Sequence, residues 1–526
     1  MSSSESTRPT GAVVLAAGRS TRFRSARSKL VHPLAGRPVI GWLLGTLREL
    51  AIDPVVVVVA PEADDVRSTC GPDVRFAVQG EQRGTGHAVQ AAEASLRTFD
   101  GDLLLLYGDL PLLEPATLAA LLAAHRAGGG QLTLATGRVE NPFGWGRIVR
   151  EGGRVRRIVE QKEATADEQR IDEVNVGLYC CHAPLLFRLL ERVHPSARTH
   201  EYYLTDIIEL AAGDGVAIAA VDVDVAEVAQ INSRGELAAV EQQVRARIAG
   251  EWMTAGVTLQ DPDTTYIDPD VRIGRDTTIG ANVHLRGRTV IGERCRIDGT
   301  AFLTDAIIAD DVHLRFGVVA TEAEIGARCE IGPFAHLRPR TQLAEGVHIG
   351  DFVETKNARL GRGTKANHLA YLGDAEIGSD ANIGAGTITC NYDGFAKHRT
   401  VIGDRVQVGS DSTLVAPVTI ADDAYVATAT TVRSDVPAGA LVFNPREQQH
   451  RAGWVAAFRA RKTGQPVPPK AAKAAKKPKA AKKPKAGGKA APRAAAKSAK
   501  TVKPMAKKQQ AARAAGKAKP RRRSRR

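Results

Sequence analysis

The chain lacks any apolar run long enough to cross a bilayer, which takes ~20 residues. Its longest runs, 55–60 and 103–106, have the length of buried strands. A helical membrane protein is thereby excluded. The opening stretch 1–10 is polar and is not expected to be a secretory leader, so a cytoplasmic location is expected. Cysteine is scarce. The six residues Cys70, Cys180, Cys181, Cys295, Cys329 and Cys390 show no paired metal-ligand spacing, and the adjacent Cys180 and Cys181 are poorly placed to bridge each other. Reduced, buried thiols are expected, which leaves no room for a disulfide scaffold. Acidic and aromatic residues are both missing from 461–526, a stretch with 25 Lys or Arg. The formal net charge of +15 therefore belongs to the tail, and 1–460 carries −10. A Lys/Ala/Pro-rich segment cannot offset chain entropy by burial, so disorder is expected over 461–526. A nucleic acid or another polyanion is a candidate partner for that tail alone.

The remainder is rich in pattern. The 526 residues imply two to four folded units. Over 1–234, short β runs (12–15, 55–59, 103–107, 132–136) alternate with helical patterns (42–50, 87–96, 116–126), predicting a parallel sheet covered on both faces. Residues 235–255 read as a helix joining two domains. From 256 to 446 an aliphatic residue recurs every sixth position: Ile273, Ile279, Leu285, Ile291, Ile297, Leu303, and again from Ile325, from Ile377 and from Ile402. This period is that of hexapeptide repeats coiled into a parallel β-helix, whose stacked coils bury a column no single repeat could bury. The lattice breaks at 303–325, 355–377 and 389–402, where extra residues are expected to loop out. Residues 447–460 are left as a separate C-terminal segment.

Two constellations carry chemistry. The first begins after the first strand with LAAGRSTRF (15–23), then SKLVHPLAGRP (28–38). Small residues and Gly18 allow backbone N–H groups to approach a triphosphate. Asp109, in LLLLYGDLPLL, ends a buried strand where ligands of open α/β sheets gather. Its carboxylate suits Mg²⁺, a hard cation that prefers oxygen. The string resembles the sugar-phosphate nucleotidyltransferase family. On that resemblance Leu15, Ala16, Ala17, Gly18, Arg22 and Lys29 hold the nucleotide phosphates, while Gln79, Gln82, Gly84 and Thr85, in QGEQRGTGH, contact the base. Tyr107 and Gly108 flank Asp109 in the UDP-sugar site; Gly146, Glu160 and Asn175 bind the sugar; Asn232 is the second metal ligand.

The second constellation lies in the repeats. The segments GPFAHLRPRTQL, GDFVETKNARLG, NHLAYLGDAEIG and NIGAGTITCNYDG resemble those of the bifunctional N-acetylglucosamine-1-phosphate uridyltransferase/glucosamine-1-phosphate N-acetyltransferase family, and the resemblance spans about 11–454. It implies a Rossmann-like α/β nucleotidyltransferase domain followed by a left-handed parallel β-helix. It also implies synthesis of UDP-N-acetylglucosamine for cell-wall and lipopolysaccharide precursors. Acetyl-CoA would acetylate glucosamine-1-phosphate, and UTP with Mg²⁺ would uridylate the resulting N-acetylglucosamine-1-phosphate. Amine acetylation needs a base near neutral pH, and His368 is the candidate. By resemblance Arg338, Lys356, Tyr371 and Asn382 bind glucosamine-1-phosphate, and Ala385, Asn391, Tyr392, Ser410, Thr428 and Arg446 bind acetyl-CoA. Thr428 stands where the family commonly has Ala, and Arg446 lies beyond the last coil in Asn444-Pro445-Arg446. A homotrimer with sites at its subunit boundaries is expected. The alternatives are a nucleotidyltransferase whose β-helix only oligomerises and a non-catalytic scaffold of the same two folds. The first leaves His368, Lys356 and Asn391 together without a reason, and the second does so for Arg22, Lys29 and Asp109.

Overall fold

The computed structural model describes residues 8–445 and 447–466. The chain divides after Pro445 into two units. The larger opens with a sheet whose strand order is Ile218–Asp222, Leu132–Arg138, Glu173–His182, Asp102–Tyr107, Thr10–Leu15, Val55–Val59, Arg75–Val78. Thr10–Leu15 lies inside it, next to the central Asp102–Tyr107, parallel to both neighbours and buried on both faces. A strand so enclosed reads as a continuous apolar run, and VVVVV at Val55–Val59 does so completely. The sheet is mixed rather than wholly parallel. Glu173–His182 runs antiparallel to both neighbours and also carries the hairpin Gly146–Glu151 and Arg154–Val159. The polar hairpin hides this reversal in the sequence, because its strands lack an apolar run.

One helix, Arg234–Thr254, leads to the repeats. Ser233 caps it: its hydroxyl accepts from the Glu236 N–H at 3.2 Å, while the Glu236 carboxylate accepts from the N–H groups of Ser233 and Asn232 at 2.9 and 2.6 Å. Val240, Val244 and Ile248, one turn apart, form its buried stripe.

The repeats form a parallel β-helix. On one face Ile279, Ile297, Leu314, Ile331, Ile349, Ala366, Ile383, Val408 and Val426 pair in succession, each one coil above the last. All are buried, each large aliphatic contributing ~1.5–3 kcal/mol by leaving water. Two of the three lattice breaks are not insertions. Between Leu303 and Ile325 the axis is filled by Ile308, Leu314 and Ala320, and between Thr355 and Ile377 by Leu360, Ala366 and Leu372. In each stretch two sides of the coil are one residue short, so Thr355 pairs with Leu372 and Leu360 with Ile377 without any loop. His368, expected on an ejected loop, ends the regular strand Lys365–His368. The third break is real. Ile383 pairs with Val408, seven residues beyond an eighteen-residue coil, and the surplus forms a loop pinned by a Tyr392–Lys397 bridge.

In the second unit the described helix Trp454–Thr463 stacks Trp454 on Phe458 with ring centroids 5.1 Å apart. It takes in Arg461, Lys462 and Thr463, so the stretch expected to be disordered starts too early; Arg and Ala there are good helix formers. Arg446 and 467–526, with the disorder and polyanion readings placed on them, lie outside the described residues.

Candidate functional site

The ends of the central strands open into a cleft of about 450 Å³. It is lined by Leu15, Ala16, Ala17, Gly18, Lys29, Gln79, Gln82, Gly84, Thr85, Tyr107, Asp109 and Glu160, twelve residues singled out from the sequence. The glycine loop follows Thr10–Leu15, and Gln82 donates to the Ala17 carbonyl at 2.6 Å, tying the two loops together. Gln79, 4% exposed, donates to the Gly84 carbonyl at 3.1 Å. Gly84 has φ +107°, and a Cβ there would meet the Tyr202 carbonyl at 2.6 Å, so only glycine fits. Gly108 closes the seam between the central strands by donating to the Leu15 carbonyl at 2.9 Å.

At the inner end Lys29 Nζ donates to Asp109 Oδ2 at 2.5 Å and to Asn232 Oδ1 at 2.8 Å. Two hard oxygens from segments far apart in sequence thus converge on one cation. The helix cap orients Asn232, and strand burial fixes Asp109. Both oxygens are of the type that Mg²⁺ takes. At the other end Gly146 pairs with Asn175, and a Cβ on Gly146 would lie 3.6 Å from both Asn175 and a Glu160 carboxylate oxygen. Burial pushes the Glu160 carboxyl above its usual range, with a hydrogen bond from Thr205 opposing and Glu201 and Glu163 adding. Burial likewise raises Tyr107, reinforced by Glu160 and Asp109. Arg22 is exposed on the short helix Thr21–Phe23 and does not line the cleft. Sequence reasoning missed Glu201, Tyr203, Thr205 and Gln230, which do. The polar run HEYYLTD (200–206) is the signal for the first three, and Gln230 stands two residues before Asn232 in QINSRGEL.

A second cluster sits on the β-helix. One corner column runs through Asp351, His368, Ala385, Ser410 and Thr428 in successive coils. Leu369 N–H donates to the Asp351 carbonyl, Asp411 to Ala385 and Ala429 to Ser410, at 2.7–2.9 Å. His368 Nδ1 contacts Asp351 Oδ1, and the two are register partners. On the neighbouring side, Arg338 donates to Glu354 at 2.6 Å, and Glu354 pairs in register with Tyr371. The Lys397 ammonium, from the inserted loop, holds Lys356 below the ordinary lysine range. Two ammonium groups so close, with Arg338 also acting on Lys356, make a place for a phosphate. Asp374 accepts from Asn357 and Asn391 at 2.5 Å each; burial alone would raise its carboxyl, but these bonds hold it low. Asn391 is thereby fixed among the phosphate-side residues, while Tyr392 is exposed on the loop. Asn382 lies one strand position before the buried Ile383, in the coil that carries Ala385. Asp351, Asp374 and Lys397 have no signal in the sequence, because coil register brings in the two carboxylates and the fold of the inserted loop brings in the lysine. None of the six cysteines is paired in a disulfide; burial pushes Cys70 up to about 11.

Residues 12–176 match the MobA-like NTP transferase domain family, and 270–305 match the bacterial transferase hexapeptide (six repeats). Curated relatives extend the likeness across both domains. The "Bifunctional protein GlmU" of Trichlorobacter lovleyi is 48% identical over 447 residues, covering 84% of this chain and 97% of that protein. That of Pelobacter propionicus is 47% identical over the same shares.

Proposed function

Because the chain belongs to the family of bifunctional GlmU proteins, a transferase that makes UDP-N-acetylglucosamine in two steps, we propose how its residues divide the work. Acetylation of glucosamine-1-phosphate occurs on the β-helix. Arg338, Lys356 and Lys397 hold the sugar phosphate by charge, and Tyr371 and Asn382 hold the sugar. His368 Nε2 takes a proton from the amine as the nitrogen bonds to the acetyl carbon of acetyl-CoA. The C–S bond then breaks and coenzyme A leaves as thiolate. The column Ala385, Ser410 and Thr428 offers a continuous edge for the coenzyme, with Tyr392 beside it.

Uridyl transfer occurs in the N-terminal cleft. The glycine loop and Lys29 hold the triphosphate, Gln79, Gln82, Gly84 and Thr85 the uracil, and Glu160 and Asn175 the sugar. The sugar phosphate attacks the α-phosphorus in line, and diphosphate leaves. Asp109 and Asn232 would hold Mg²⁺, which when bound neutralises phosphate charge. The observation that carries this reading is the convergence of Asp109, Asn232 and Lys29 on one point. We expect EDTA to stop UTP-dependent diphosphate release and leave acetyl-CoA-dependent thiol release at its untreated rate. Equal loss of both, or of neither, contradicts the assignment.

A homotrimer in the cytoplasm is the assembly we propose. An exposed apolar column, Phe316, Phe334, Phe352 and Leu369, supports it: adjacent rings lie 5.5 Å apart, and Leu369 is 61% exposed. The basic tail we assign to non-specific polyanion binding, on its 25 cations without a counter-charge. With no aromatic side chain it has nothing on which to stack bases. Truncation after Ala460 should leave both activities unchanged and remove affinity for duplex DNA. The slope of log K against log salt should be about −0.9 for each phosphate neutralised. Equal DNA binding by full-length and truncated protein refutes the tether.

A further inference from the structure

We propose that Asp351 is the positioning residue that holds His368 as the Nδ1–H tautomer and so presents Nε2 as the base. The inference rests on the reading of His368 as the acetyl-transfer base. The His368 side chain is 60% exposed, so packing does not fix the ring. A free neutral imidazole favours the proton on Nε2, the atom that must be bare to accept one. The carboxylate of Asp351 reverses that preference, because it can only accept a hydrogen bond and it contacts Nδ1. Both residues stand on the β-helix backbone, paired in register one coil apart, with the Leu369 N–H bonded to the Asp351 carbonyl at 2.9 Å. The carboxylate and the ring are therefore aligned by the solenoid itself. Among the described residues no Lys or Arg forms an ion pair with Asp351, which leaves its charge to the imidazole. His348, on the strand that carries Asp351, lies within electrostatic reach of the ring, and Lys365 of the His368 strand and Arg315 act on His348 in turn. No bond is made or broken by Asp351. The amine proton goes to Nε2, and the Nδ1 proton stays where it is.

The test uses the full chain labelled with ¹⁵N-histidine, with H368Q to assign the resonance. In the wild type the neutral ring should show a protonated Nδ1 and a bare Nε2; the reverse pattern overturns the proposal outright. Asp351→Ala should shift the ring to the Nε2–H tautomer and lower acetyl-transfer kcat by ~10-fold or more, between the ~10–100-fold cost of losing the partner of a metal-bound histidine and the ~10⁴-fold cost in a catalytic triad. KM for glucosamine-1-phosphate should hold. Asp351→Asn, whose carboxamide can donate to a bare Nδ1 as well as accept from Nδ1–H, should leave the tautomers mixed and kcat between those of the wild type and Asp351→Ala. Circular dichroism and thermal unfolding of the same samples report on folding of the β-helix. Wild-type kcat in Asp351→Ala, with His368→Ala inactive, defeats this inference alone. Full activity in His368→Ala defeats the base assignment beneath it.

Discussion

Replacing Asp109 with Ala should lower uridyl transfer by ~10³-fold or more while acetyl transfer continues at the wild-type rate. The buried carboxylate supplies one of two oxygens that converge at the inner end of the cleft, the other being Asn232 Oδ1. Its removal leaves Lys29 and one neutral amide to face a triphosphate and a sugar phosphate. A single preorganised electrostatic group at a site of developing charge is worth ~10²–10³, and loss of a metal ligand adds to that. Acetyl transfer should be untouched, because its residues stand on β-helix coils that close on their own interior column. Diphosphate release and thiol release, measured on one purified sample, check this. Parallel loss of both with the fold intact would mean the two activities share a site.

His368→Ala should produce the converse, a fall of ~10²–10⁴ in acetyl-transfer kcat with uridyl transfer preserved. The attacking nitrogen must lose a proton as it forms the amide, and in the His368 corner the imidazole is the group that can take it. Arg338, Lys356 and Lys397 remain in the variant, so KM for the sugar phosphate should change little. A wild-type rate would make His368 structural and place the base elsewhere.

How far these sites were legible before the fold was known differs by kind of signal. The hexad period announced the β-helix because each large aliphatic residue fills a fixed slot on the axis. It misled where alanine fills the slot: Ala320 and Ala366 are buried yet do not register as part of an Ile/Leu/Val lattice. Shortened coils therefore look like insertions in the sequence, and His368 ends a strand where the period suggests a loop. The real insertion, which delivers Lys397 to Lys356, was found because seven surplus residues cannot be absorbed at corners. In the first domain the glycine loop and the QGEQRGTGH loop stand out as short contiguous strings, and eleven of their residues and neighbours meet in one cleft beside Glu160. The antiparallel strand Glu173–His182 did not, since strand direction is set by the connecting hairpin and not by composition. Asp351 could not have been chosen in advance, because its partnership with His368 depends on a coil one residue shorter than the period suggests.

The most direct test of two independent sites is a mixing experiment. Full-length Asp109→Ala and His368→Ala proteins are each given glucosamine-1-phosphate, acetyl-CoA, UTP and Mg²⁺, alone and together, and UDP-N-acetylglucosamine is measured. Each variant alone should form almost none. The mixture should form it readily, because N-acetylglucosamine-1-phosphate released by the first protein is the substrate of the second. Failure of the mixture, with each variant retaining its own half-reaction, would contradict two separable sites linked by a diffusing intermediate.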